Sequence, residues 1–236
     1  MKEVKGKIDH RILLNYRIDP EVMQQNLPKE FKPKIINGYA IGGICQVSLS
    51  QMRPNGLPSI FGSKSHNAAH RIAVTSSLGE GVFVTRRDTN SLVNTFASGR
   101  LFPGNYKKAD FSIESNGNSF SVRIGKGEEC LMNIEAEISK EIESISVFNS
   151  VKEISDFFLA GNIGWSKRND FDEFDAIELK AIDWSMKPLK VKSQHSSYFM
   201  DESKFPKGSV EFDSAMVMQG LDHSWISREE LCKVCV

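Results

Sequence analysis

Apolar and polar residues alternate along most of this chain with a period of two, the pattern of strands with one covered face. The run "RILLNYRI" within residues 4–18 reads as a strand. Asp19, Pro20 and Glu21 then supply a cap, a first-turn proline and an acidic first turn, so a short helix is predicted before Pro28. "FKPKIINGYAIGGICQVSLSQMRP" predicts a strand, a turn at Asn37 and Gly38, and a long strand whose Gly42 and Gly43 mark a bend, a bulge or close backbone approach. A Gly/Pro/Ser-rich loop, "NGLPSIFGSKSHN", separates this from two strands, "AAHRIAVTSS" and "GVFVTRRDT". "NSLVNTFASGR" has helical apolar spacing, with Asn90 or Ser91 as cap and Gly99 as stop. A meander follows through "KKADFSIES", "SFSVRIGKG" and "CLMNIEAEIS", then a second helix, "SVKEISDFFLAGN". "AIELKAIDW", "KPLKVKSQHSSYF" and "GSVEFDSAMVMQ" return to strand alternation. About ten short strands and a few short helices, with no repeat and no linker, predict one mainly β (α+β) domain over residues 1–236, a closed or nearly closed antiparallel β-barrel with flanking helices. A polar tail runs from about residue 226.

The composition, 40% hydrophobic and 25% charged over 236 residues, is ordinary for a globular domain. Thirty basic and thirty acidic side chains cancel, so no global field draws the chain to nucleic acid or to an anionic membrane. No apolar run approaches the roughly 20 residues that span a bilayer. The opening "MKEVKGKIDHR" lacks the apolar core of a signal peptide, and a cytoplasmic protein is expected. The expected partner is a small-molecule ligand; whether copies of the chain form a homo-oligomer is left open.

Candidate chemistry is sparse. Cys45 and Cys130 fall in strands and are expected to be buried thiols. Cys232 and Cys235 form a C-x-x-C with no second ligand pair. On an extended strand His66 and His70 would share a face but lie roughly 13 Å apart, too far for one metal, and the plainer reading puts His66 in the loop and His70 in the strand. No metal is therefore expected, and no organic cofactor. In "TRRDT", strand parity sends Val82, Val84 and Arg86 to one face and Phe83, Thr85 and Arg87 to the other. An inward arginine must be paired or bind an anion; Arg87 and Arg71 are the candidates for a carboxylate ligand, with pairing to Asp88 as the structural alternative. In "GRLFPGNYKK", Lys107 and Lys108 stand side by side. In a solvated turn their repulsion matters little; in a pocket it would lower an amine's pKa and yield a nucleophile toward carbonyls. No G-x-S-x-G, Walker loop, G-x-G-x-x-G or H-E-x-x-H is present.

"NYRIDPEVMQQNLP", "NGYAIGGICQVSL", "NAAHRIAV", "RRDTNS", "GRLFPG" and "FDSAMVM", in this order, resemble an uncharacterised bacterial group of the acetoacetate decarboxylase-like superfamily. The resemblance runs from about Arg11 to about Trp225. It implies a cone-shaped, mainly antiparallel sheet with flanking helices. The true decarboxylases carry Gly-Arg-Glu followed by Pro-Lys-Lys, whose first lysine forms a Schiff base while the second lowers its pKa. On that register Lys107 would be the nucleophile and Lys108 its modulator. The chain departs from the pattern: Leu101 replaces the acid, Tyr106 the proline, Asn67 an active-site glutamate, and Asp9 falls near the position where the decarboxylases carry an active-site arginine. The reading is a barrel that binds a small carbonyl- or carboxylate-bearing molecule in an internal cavity with Asn67, Arg71, Arg87 and Lys107. A Schiff-base lyase and a non-catalytic interaction scaffold are the alternatives.

Overall fold

The computed structural model describes residues 3–92, 95, 106–168 and 173–229. Most of the helix expected over residues 90–100, together with Gly99, Arg100, Leu101, Cys232 and Cys235, lies outside them. The strands in chain order are β1 (Glu3–Ile18), β2 (Lys32–Pro33), β3 (Ile35–Ile36), β4 (Tyr39–Pro54), β5 (Ser63–Ser76), β6 (Gly79–Thr89), β7 (Tyr106–Lys108), β8 (Asp110–Ser115), β9 (Ser119–Lys126), β10 (Glu129–Ile138), β11 (Ile163–Lys167), β12 (Phe174–Ala181), β13 (Lys187–Ser196) and β14 (Val210–Ser227). Among the described residues two α-helices of six residues or more accompany them, α1 (Pro20–Gln25) and α2 (Val151–Ala160). The Asp19 carboxylate accepts from the Glu21 and Val22 amides, and Ser150 Oγ accepts from the Glu153 amide, so both helices start on the caps that their sequences carry. Asn37 and Gly38 both adopt positive φ, as the expected Asn-Gly turn requires.

All strands join one sheet, in the order β1-β4-β5-β6-β11-β12-β14-β13-β10-β9-β8, and β1 also pairs β14. The sheet forks twice. One edge of β6 pairs first β11 and then β7; one edge of β14 pairs first β13 and then β12. Both contacts of β6 on that edge are parallel, so the sheet is not wholly antiparallel. The result is a sheet-rich, cone-like fold rather than a regular barrel.

Two apolar layers follow from strand alternation. On one face, Ile12, Leu14, Ile44, Ile72 and Phe83 pack with Phe120, Val122, Ile134 and Leu189 of the β8–β9–β10–β13 arm. This is the arm face. On the other, Leu13, Ile41, Val47 and Ala73 pack with Ile154, Phe157 and Phe158 of α2. This is the helix face. Among the described residues no helix is long and apolar enough to cross a membrane.

The strands are longer than their alternation suggests, because bulges re-phase them. Thr85 is extra in β6: Arg86 pairs His70, whereas Val84 pairs Arg71. Plain parity had grouped Arg86 with Val84. The bulge instead puts Arg86 on the arm face with Phe83. At Gly43 a Cβ would stand 2.1 Å from the Leu14 carbonyl oxygen, the close backbone approach expected for this glycine.

Candidate functional site

Register places polar side chains in adjacent rows at one end of the arm face. Gln46, Ala68, Asp88 and Lys107 stand side by side on β4, β5, β6 and β7. The next row is His10, Ser48 and His66. The row on the other side is Ile44, His70 and Arg86. Beyond it the face turns apolar at Ile72 and Phe83.

Ser48 links two imidazoles. Its Oγ lies 3.0 Å from His10 Nε2 and 2.8 Å from His66 Nδ1, and it accepts from Gln46 Nε2 at 3.1 Å. A hydroxyl has one proton and two lone pairs, so these contacts fit one imidazole as donor and the other as acceptor. Burial lowers the pKa of both histidines, and for His10 the nearby His66 adds to it. Neutral rings are what such a relay needs. Phe111 and Phe120 of the arm form walls, with ring centroids 6.2 Å from His66 and 5.8 Å from His10. Both histidines remain half-buried, while Ser48 and Gln46 are buried. The Gln46 Oε1 atom has no protein partner.

Asp88 is fully buried and gripped by Arg86, whose Nε and Nη2 donate to its carboxylate at 2.9–3.0 Å. Burial still raises its carboxyl above the usual range, against the pull of Arg86 and Lys107. His70 Nδ1 lies 3.8 Å from the Asp88 carboxylate. Burial lowers His70 to about 3, so its ring is neutral near pH 7 and the contact is not an ion pair. Neither of its ring nitrogens has a hydrogen-bond partner.

The five sequence candidates do not surround one cavity. Lys107 aligns with Asp88 at the polar end of the arm face and is exposed; Lys108 is exposed too, and its Nζ donates to the Asn90 carbonyl. Ala109, Phe111 and Ile113 share the arm-face core, as parity predicts. Arg71 lies on the helix face, 98% buried, with Nη2 donating to Asn15 Oδ1 at 2.6 Å and its guanidinium carbon 4.3 Å from the Phe158 ring centroid. Asn67 shares the phase of Arg71 and donates to Ser65 Oγ at 2.9 Å. Arg87 donates to Ser166 Oγ at 2.9 Å in a cleft at the fork of β6. Arg86 rather than Arg87 holds Asp88.

Sequence reasoning missed His10, Gln46 and Ser48, and placed His66 in a loop. A signal was present. In "GGICQVSLS" polar residues occupy alternate positions 46, 48 and 50 of a strand too apolar to be exposed, which marks a covered polar row. Cys45 and Cys130 do lie in strands, but half-buried rather than buried; Cys45 Sγ accepts from Arg11 Nε at 3.1 Å. Among the described residues no group of three or more His, Cys, Asp or Glu is arranged to hold a metal.

The profile of one family, DUF2071, described as an uncharacterized conserved protein, matches residues 6–218. No curated protein sequence matches the chain. Solved structures share its fold. An acetoacetate decarboxylase from Legionella pneumophila superposes with a TM-score of 0.65 at 10% identity, over 99% of this chain and 87% of that one. An acetoacetate decarboxylase-like enzyme from Sphingomonas wittichii gives 0.62 at 11% identity, over 96% and 91%. The enduracididine biosynthesis enzyme MppR, complexed with pyruvate, gives 0.61 at 9% identity, over 97% and 90%.

Proposed function

Because the chain belongs to the DUF2071 family of uncharacterised conserved proteins and has an acetoacetate decarboxylase-like fold, we propose that it binds a small carbonyl- or carboxylate-bearing molecule at the polar end of the arm face. The observation that carries this reading is the gathering of His10, Gln46, Ser48, His66, Asp88 and Lys107 into adjacent rows beside an otherwise apolar surface. Such a site offers N–H donors and an ammonium to ligand oxygens, and aromatic walls to its carbon atoms. Pyruvate, the molecule bound in the MppR structure, carries both a ketone and a carboxylate. Thermal denaturation with pyruvate, acetoacetate, acetone and acetate tests the reading. A saturable rise in melting temperature with at least one oxo acid is expected, and His66→Ala or Lys107→Ala should remove most of it. No rise with any of the four would overturn it.

A second reading is favoured by the alignment of Lys107 with Asp88. There the neutral Lys107 amine adds to a ketone, the ketone oxygen leaves as water, and the protonated imine withdraws the electron pair of a C–C or C–H bond as that bond breaks. Asp88, whose burial raises its affinity for a proton, is the adjacent group able to exchange one. Borohydride reduction with oxo acids followed by peptide mapping separates the two readings. An adduct on Lys107 that Lys107→Met eliminates supports the lyase. Oxo-acid binding without an adduct leaves Lys107 as a binding cation.

A further inference from the structure

The fork of β6 creates a second opening. Val82 and Phe83 run beside Gly164 and Trp165 of β11. Further along the same edge, residues 87–89 run beside β7. Among the described residues no strand lies alongside residues 84–86 on this edge. A cleft of about 500 Å³ occupies the gap, and because the sheet is split there, residues of both faces line it. Arg86, Lys167 and Tyr198 come from the arm face, and Arg87, Ser166 and Arg168 from the helix face.

The described lining holds four cationic side chains and no carboxylate. Arg86 is met by Asp88 and Arg168 by Glu173 and Asp175, acids beside the cleft, and Lys167 is not free either. Arg87 is different. Its Nη2 donates to a neutral group, Ser166 Oγ; its Nε is buried without a partner; and it forms no ion pair with an acid among the described residues. Its guanidinium carbon sits 5.7 Å from the Tyr106 ring centroid, a contact that does not neutralise the charge. A half-buried guanidinium in this state lacks an anionic acceptor.

We propose that the cleft binds the phosphate group of a small phosphorylated molecule, with Arg87 and Ser166 as its holders. Phosphate fits better than carboxylate for a geometric reason. The cleft is lined from both faces of the sheet, by Arg87 and Ser166 on one and Lys167 and Tyr198 on the other, and a tetrahedral dianion presents oxygens in several directions where a carboxylate presents two in one plane. This site is separate from the polar rows of the arm face. Arg86 stands between the two with its fork turned onto Asp88.

The test is titration calorimetry of the full chain with inorganic phosphate and pyrophosphate, against chloride at equal ionic strength and against acetate. Saturable phosphate binding is expected. Arg87→Gln should weaken it at least ten-fold, Arg87→Lys by less because charge survives without the fork, and Ser166→Ala several-fold. His66→Ala should leave phosphate binding unchanged, so failure of the oxo-acid site and failure of this one are distinguishable. Phosphate binding no tighter than chloride overturns the proposal. So does acetate binding as tightly as phosphate, or a folded Arg87→Gln that binds like the wild type. Should Arg87→Gln fail to fold, Ser166→Ala and Arg87→Lys decide by the same criteria: wild-type affinity in both overturns it.

Discussion

Arg71 is a buried cation that touches no carboxylate among the described residues; neutral groups carry its charge to one. It donates to Asn15 Oδ1 across Gly43, which stands between them in the register and has no side chain to block the reach. Asn15 Nδ2 donates to Ser214 Oγ at 3.3 Å, and Ser214 Oγ donates to Asp213 Oδ2 at 2.7 Å. Asp213 is an extra residue in β14, since Asn15 pairs Ser214 while Tyr16 pairs Phe212, so a bulge brings the acid to the end of this relay. Its carboxylate also accepts from the Val147 amide and from Ser146 Oγ. Desolvation lowers Arg71 to about 10, which still leaves it charged near pH 7. Asn15→Leu would strand that charge and is expected to destabilise the fold by about 3–5 kcal/mol. Adding Arg71→Met should recover a large part of the loss, because the buried charge is then gone as well. Urea denaturation of the two variants measures both. A loss below about 1 kcal/mol for Asn15→Leu would show that the relay does not carry the charge. The sequence did mark Arg71 as an arginine that must find a partner. It could not say that the partner would be an amide on β1, because that depends on which strands become neighbours.

Elements were legible where the determinant is local. The cap of α1 and the Asn-Gly turn depend on two to four consecutive residues, and both formed where expected. Strand phase was not, because a bulge is a property of a pair of strands. Thr85 shows the consequence. If Thr85 took an ordinary place in the ladder, plain alternation would give Arg86 and Asp88 the phase of Val84, against the helix face. With Thr85 as an extra residue they stand beside His70 and Ala68 on the arm face. Deleting Thr85 joins Val84 directly to Arg86 and is therefore expected to leave Arg86 beside His70 and Asp88 beside Ala68, with cooperative folding kept and a cost below about 3 kcal/mol. Thr85→Ala keeps the extra residue and should change stability by less than about 1 kcal/mol. Urea denaturation measures both, and loss of cooperative unfolding on deleting Thr85 would show that it is not a surplus residue in the ladder.

At the scale of the whole molecule, β1 pairs with β14 along both lengths, so the first and last strands close the sheet on one another. A chain whose first and last described strands pair in this way is expected to unfold in one transition, and two separated transitions would argue for two units. That transition should depend on pH. His10, His66, His70 and His223 are all lowered, first by burial, His70 to about 3 and His223 to about 4. Unfolded imidazoles take up protons near pH 6.5, whereas these stay neutral in the fold, so the unfolded state binds more protons. Stability is thus fully present above about pH 6.5 and is lost as pH falls toward 4 and 3. For His70 alone the loss by pH 5 is about 2 kcal/mol. Asp88 acts oppositely: its raised carboxyl contributes stability at low pH that fades as pH rises through its folded value. The histidines outnumber it, and the urea midpoint should fall between pH 7 and pH 5. A flat midpoint would contradict their burial as neutral rings. By itself the sequence determined the β-rich class, the caps and turns, the family resemblance and the presence of arginines in need of partners, because composition, alternation and short motifs act over a few residues. Only the tertiary structure decided that Asn67 and Arg71 face away from Lys107, that Arg86 holds Asp88, and that His10, Ser48 and His66 meet. Those contacts join strands as far apart in sequence as β1 and β5, and their phase is set by bulges that exist only once the strands have paired.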